Sequence, residues 1–256
     1  MQPAPKRTKV DRGVTVTYWA GRGKCEPLRC VLAAANVCFC NNFLTLEQGR
    51  ADLQQMRADK KLAFDQVPLV EIDGLQMVQT APIASYLGRR FGLMPAASEE
   101  AFLVESLWAS AADARAPLVA FPFSAYPDAP GEAERAQTLK TLLGTKGLVG
   151  RYAVKWEERL ASSGGSFLLG SQPTIADVGV FEALDFFREV YGTDEFERSF
   201  APFPRLRALV EAVKKLGRLA EHCDVERKTY DTWDEASGSH KHWGTYAKAV
   251  RTTLAD

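Results

Sequence analysis

The sequence predicts an α/β unit followed by an all-helical one, and three observations carry that prediction. Strand and helix patterns alternate as β-α-β-α-β-β-α across residues 14–93. The dipeptide Asp73-Gly74 joins two short apolar runs, the signal of a two-residue hairpin. From Ser98 onward strand signals vanish and long helical stretches take over.

The elements follow in order. Val14–Tyr18 alternates β-branched with polar residues, as a short strand does. After the turn Ala20-Gly21-Arg22-Gly23 a helix starts with Pro27 in its first turn and Leu28, Val31, Leu32 and Ala35 on one face. Cys38–Leu44 reads as a second strand, and Leu53 and Met56 mark a short helix. Leu69–Ile72 and Leu75–Val78 form the hairpin. The next helix takes Thr80 as N-cap, turns Ile83, Tyr86, Leu87 and Phe91 inward, and closes at Gly92. Beyond a short linker at Met94–Ser98, helices are expected over Glu99–Ala116, Glu132–Leu160, Ile175–Val190 and Pro204–Leu219. Thr174-Ile175-Ala176-Asp177 reads as a capping box. The chain divides into an extension (1–13), an α/β domain (14–93), a helical domain (98–223) and a tail (224–256). Within the tail Thr229–Lys241 looks loop-like, and Trp243, Tyr246, Ala247, Val250 and Leu254 form an amphipathic helical stripe.

Composition excludes several classes of function. Lys plus Arg equals Asp plus Glu, which argues against a general polyanion binder, so no nucleic acid is expected. No apolar run reaches the roughly 18 residues of a membrane span. Residues 1–13 carry four basic residues but no apolar core, unlike a secretory signal. Five cysteines without a CxxC pair indicate free thiols and a cytoplasmic setting. His222-Cys223 and His240-Lys241-His242 match no zinc spacing, so no metal is expected.

Tyr18-Trp19-Ala20-Gly21-Arg22-Gly23-Lys24, the stretch Gln66-Val67-Pro68-Leu69-Val70-Glu71-Ile72-Asp73-Gly74, and Gln79-Thr80 together resemble cytosolic glutathione transferases, the alpha class above all. The likeness spans residues 14–220, each motif falling on its expected element. It implies a thioredoxin-like N-terminal domain, an all-α C-terminal domain, and reduced glutathione as co-substrate with no other cofactor. The implied partners are small hydrophobic electrophiles and a second copy of the chain, and the implied role is detoxification.

By that resemblance Tyr18 donates its hydroxyl to the glutathione sulfur. A free thiol of pKa near 8.5 is a few per cent ionised at neutral pH. Lowering that pKa by about two units takes roughly 2.7 kcal/mol, and one hydrogen bond to a charged group supplies about 1.5–3 kcal/mol. Lys24 stands where the alpha class carries an arginine, keeping the charge and losing the planar fork. Val67 and a cis Pro68 would align the cysteinyl part of glutathione, with Gln66 beside them. Gln79 and Thr80, at a helix N-terminus, would receive the γ-glutamyl carboxylate; Thr80 also reads as a plain N-cap. Arg57 would face the glycine carboxylate. Asp113 and Arg151 would complete the site from the neighbouring subunit, and Phe64 would enter a pocket on that subunit. Each has an ordinary reading as well: solvated charges on helices, and a core phenylalanine.

The hydrophobic-substrate pocket is expected against Ala20, Gly21 and the rest of their turn, with Pro117, Leu118, Val119, Phe121 and Phe123 as lining. Trp243 and Tyr246 belong to it if the tail stripe forms a lid, as the alpha-class C-terminal helix does; packing outside the helical domain is the other reading. Cys25, past the turn, is not expected to be catalytic. Conjugation to electrophiles is the expected reaction. Glutathione-dependent peroxide reduction or isomerisation, and a non-catalytic ligand carrier, are the alternatives.

Overall fold

Alternating valines make the first strand, β1 (Val14–Trp19), and its Val14 and Val16 are fully buried. The computed structural model describes residues 13–44, 48–124, 132–230, 233–234 and 239–240. Strand β1 lies between β2 (Phe39–Leu44), which it pairs in parallel, and β3 (Leu69–Ile72), which it pairs antiparallel. Antiparallel β4 (Leu75–Val78) forms the far edge, giving the order β2-β1-β3-β4. Asp73 and Gly74 both take positive φ, as the tight hairpin requires. Helices α1 (Glu26–Ala34), α2 (Gly49–Ala58) and α3 (Thr80–Phe91) complete a thioredoxin-like unit in the predicted order. A left-handed Gly92 ends α3.

The helical half differs from expectation in four places. Helix α4 (Ser98–Ser124) continues past Ala116 and through Pro117, because one missing donor weighs less than burying Ala114 and Leu118 in the core. The single helix expected over Glu132–Leu160 is instead α5 (Glu132–Leu143), a π-helical turn (Leu148–Ala153) and α6 (Val154–Ser163). The break is at Gly147, where an added Cβ would sit 2.1 Å from the Thr141 carbonyl oxygen. Helix α8 (Thr193–Phe200), unassigned from sequence, follows α7 (Ile175–Tyr191) with only Gly192 between them. Helix α9 (Pro204–Lys214) stops short of Leu219; after it come a one-turn α10 (Leu219–Glu221), a π-helical turn (His222–Glu226) and a 3₁₀ turn (Arg227–Thr229). In the loop-like tail, β5 (Trp233–Asp234) pairs with β6 (Ser239–His240).

Helix α7 is the hub, packing against α4, α9 and α1. Its start is the capping box read from the sequence. Asp177, fully buried, accepts from the Thr174 N–H and hydroxyl at 2.8 Å each and from the Leu168 N–H at 2.7 Å. Gly179 lets α4 cross closely: a Cβ there would lie 3.0 Å from the Trp108 ring. Among the described residues no helix is long and apolar enough to cross a membrane.

Candidate functional site

The end of β1, the start of α1 and the start of α3 meet at the backbone of Lys24. Its N–H donates to the Tyr18 hydroxyl oxygen at 3.1 Å, and its carbonyl accepts from the Thr80 hydroxyl at 3.1 Å. Tyr18 is buried, while Lys24 is exposed. An oxygen that accepts one bond donates a stronger one, so the Lys24 amide makes the Tyr18 O–H a better partner for an anion. Thr80 is not the N-cap. It opens α3, its hydroxyl is engaged with Lys24, and the cap is Gln79. Gln79 holds φ 74°, ψ 117°, a strained setting for a side-chain-bearing residue. The first turn of α3 leaves the Thr80 and Ala81 N–H groups without an intrahelical acceptor, and Pro82 has none to offer. That is the polarity that attracts a carboxylate.

Beside this junction lies a cleft of about 480 Å³ between the starts of α1 and α3 and the length of α4. Lys24, Pro27, Thr80 and Ala81 form one wall; Asp113, Arg115 and Val119 with a row of alanines form the other. The structure therefore brings together Lys24, Thr80, Asp113 and Val119 of the residues expected from sequence. Tyr18 joins them through Lys24.

Other expectations change. Pro117 faces a second cleft of about 320 Å³, with Lys140, Lys146 and Tyr152. Asp113, one turn before it, borders both clefts, and Val119, two residues on and about 200° further round α4, faces the larger one. Gly21 is buried and its carbonyl accepts from Arg29 at 2.9 Å, so the Ala20-Gly21 turn is drawn inward, away from the larger cleft. Leu118 is wholly buried core. Arg57 spends two donors on the Asp65 carbonyl, both at 3.0 Å, bracing the loop before Val67 rather than reaching the cleft. Gln66 in that loop is exposed, and Val67-Pro68 is cis as the resemblance implies. Arg151, on the π-helical turn, is exposed and lies over the Tyr152 ring. Phe64 is no core residue, being 64% exposed. Phe121 and Phe123 fall on α4, but their side chains, like Trp243 and Tyr246, lie outside the described residues. Cys25 is fully buried and its thiol is pushed up to about 11, mainly by that burial, which keeps it protonated.

Beneath the junction sits a network that sequence reading misses. Arg22, 2% exposed, donates to Glu182 at 3.2 Å and to Asp185 at 3.2 Å and pairs with Glu189. Arg115 donates to the Gly23 carbonyl at 2.9 Å and to Glu182 at 2.8 Å. Arg227 reaches Asp185 at 2.8 Å, and Arg29 reaches Glu26 at 3.3 Å. Four guanidinium groups thus face four carboxylates around the Gly21–Gly23 turn. Burial opposes the charge on Asp185, but Arg227 and Arg22 outweigh it and hold its carboxyl down at about 2. The partners are up to 167 residues apart in sequence, so no local pattern announces them.

The comparisons agree with this geometry. Residues 14–89 match the family model described as glutathione S-transferase, N-terminal domain, and residues 112–225 match glutathione S-transferase, C-terminal domain. The chain is 34% identical over 217 residues to glutathione S-transferase alpha-5 of Rattus norvegicus, covering 84% of this chain and 90% of that one. To glutathione S-transferase A1 of Bos taurus it is 34% identical over 208 residues, 78% of this chain and 86% of the other. Among solved structures, a Pi-class glutathione S-transferase of Onchocerca volvulus shares the fold with a TM-score of 0.67 at 22% identity, covering 85% of this chain and 95% of that one. Two family models in the right order and relatives matched along most of their length leave one assignment: the chain belongs to the glutathione S-transferase family.

Proposed function

We propose that this protein is a glutathione transferase that conjugates reduced glutathione to hydrophobic electrophiles. The observation that carries the reading is the Lys24 backbone junction. It holds the Tyr18 hydroxyl and the α3 N-terminus in one frame at the mouth of an alanine-walled cleft. In this reading the γ-glutamyl carboxylate of glutathione sits at Gln79, Thr80 and the free N–H groups of α3, with Gln66, Val67 and Pro68 aligning the cysteinyl backbone. Tyr18 donates to the sulfur and Lys24 adds positive charge, so that the thiolate predominates. The thiolate attacks an electrophilic carbon lodged against α4, and a C–S bond forms while a leaving group departs or a Michael acceptor takes up a proton.

The working protein in this proposal is a cytoplasmic homodimer with a detoxifying role. An exposed Phe64 supports it, since a ring left in water gains by burial in a partner's pocket. Asp113 and Arg151 then reach the glutathione of the neighbouring subunit. Burying one phenylalanine contributes about 1.5–3 kcal/mol, and an isologous interface buries two. Phe64→Ala is therefore expected to weaken dimerisation by about 10²–10⁴ in Kd, read by sedimentation equilibrium; an unchanged association constant would remove Phe64 from the interface.

The function itself is tested by adding saturating glutathione and a generic aromatic halide or Michael acceptor to the wild-type protein and following thioether formation. Saturable turnover is expected. Glutathione binding with no turnover on any electrophile would instead assign the chain to ligand carriage.

A further inference from the structure

A second cluster of chemically active side chains lies on the far side of α1, away from the cleft. Glu26 and Cys30 are four residues apart on α1 and share a face. The π-helical turn His222–Glu226 packs onto that face and brings His222 to it. Glu26, Cys30 and His222 are each 0% exposed, and their donor atoms all lie within 4.8 Å of one another. The Glu26 Oε1 is 2.9 Å from His222 Nε2 and 3.9 Å from Cys30 Sγ.

We propose that Glu26, Cys30 and His222, with Cys223 as the fourth donor, bind one divalent ion of the zinc type and thereby clasp the segment 222–230 to α1. Four-coordinate zinc with bonds of about 2.0–2.3 Å keeps its ligand atoms roughly 3.3–3.8 Å apart. The spacings among Glu26, Cys30 and His222, from 2.9 Å to at most 4.8 Å, bracket that range. Movements of about 1 Å therefore convert their present hydrogen bonds into coordination, while Cys223, whose thiol meets that of Cys30, swings further to join them. The mixture of imidazole, thiol and carboxylate suits zinc or cobalt rather than magnesium or calcium, which take oxygen.

The surroundings are those of a metal site as well. The second ring nitrogen of His222 faces Glu226 Oε2 at 3.2 Å, the carboxylate–histidine arrangement that orients a ligand imidazole. The other Glu26 oxygen accepts from the Tyr230 hydroxyl at 2.8 Å and from Arg29 at 3.3 Å, which fixes its orientation. Cys223 is buried with its thiol in hydrogen-bond contact with that of Cys30, and Arg227 Nη1 approaches its sulfur at 3.5 Å. On binding, the ion takes the place of protons carried by the thiols and the imidazole, and those protons leave to solvent. Two thiolates and a carboxylate against the divalent ion leave one net negative charge, which Arg29 and Arg227 adjoin. The spacing of His222-Cys223 gives no zinc pattern because the other two ligands lie 196 and 193 positions back along the chain.

The test uses cobalt as a spectroscopic substitute, in the full chain with the exposed Cys38 and Cys40 both changed to serine to remove adventitious thiol sites. The reduced, metal-free protein is titrated with Co²⁺. One equivalent per chain, with the intense visible bands of tetrahedral cobalt and a thiolate-to-cobalt charge-transfer band, is expected. Cys30→Ser should weaken the charge-transfer band, and His222→Gln should weaken binding by at least tenfold, both leaving glutathione-dependent turnover in place. Zinc should compete one for one and raise Tm. Absence of the tetrahedral bands in the wild-type ligand set overturns the proposal, as do bands that persist unchanged in His222→Gln. The wild-type titration decides the matter should a variant not fold.

Discussion

Tyr18→Phe is expected to raise the pKa of enzyme-bound glutathione by about 1–2 units, because it deletes a hydrogen bond to a charged sulfur worth about 1.5–3 kcal/mol. The ring stays buried, and the change removes one oxygen and with it the acceptor of the Lys24 N–H, so the Lys24 carbonyl–Thr80 bond is left to hold the junction. A thiol held at about 6.5 is about three-quarters ionised at pH 7, whereas one at about 8.5 is about 3% ionised. The population of nucleophile then falls by about 25-fold. A more basic thiolate is intrinsically more reactive, which trims the loss. The rate at pH 7 should drop by about threefold to 25-fold, and the deficit should disappear above roughly pH 9, where both proteins hold thiolate. The pH profile of kcat/KM is therefore the decisive reading rather than the rate at one pH. Coincident midpoints in the two profiles would take Tyr18 out of the role proposed for it.

Glu182→Ala is the second large effect, and it acts on stability. Glu182 is fully buried and takes hydrogen bonds from both Arg22 and Arg115. Its removal leaves Arg115 buried without a carboxylate and Arg22 with only Asp185 and Glu189. Breaking a buried ion pair from one side costs about 3–5 kcal/mol. For a chain of this size that lowers Tm by roughly 6–20 °C. Replacing Arg115 and Glu182 together by leucine should recover most of the loss, since an apolar pair carries no uncompensated charge. Calorimetry on the single and double variants checks both halves; a single variant within about 1 kcal/mol of wild type would mean that the network is dispensable. Activity should fall too, because Arg115 also holds the Gly23 carbonyl in the turn that leads to Lys24.

What could be read from the sequence was what local chemistry determines. Asp73-Gly74 fixes a hairpin because both residues must take positive φ, and Thr174 with Asp177 caps α7 through side chains three residues apart. Tyr18, Lys24 and Thr80 were legible through family motifs, and their junction through backbone bonds was not. Thr80 looked like a cap because threonine before an apolar run usually is one. Its hydroxyl instead found the Lys24 carbonyl, 56 residues away. Helical periodicity ran unbroken across Gly147, where only the approach of the Thr141 carbonyl shows that the helix must stop. Pro117 and Val119 looked equivalent as apolar residues; rotation about the axis of α4 sends them to different clefts. The charge network and the Glu26–Cys30–His222 cluster depend on residues some 160–200 positions apart, which no window along the chain can contain.

The contact between Glu26 and His222 also sets an order of events at the ribosome. The α/β half emerges first, but the carboxylate on its first helix meets its imidazole partner only 196 residues later. At about 5–20 residues per second that interval lasts roughly 10–40 s. Throughout it one face of α1 remains wetted, and Glu26 has Arg29 of its own helix and water for partners. The thioredoxin-like half is thus completed by the last described helical turns of the chain, and the nascent protein is sealed from its far end backward.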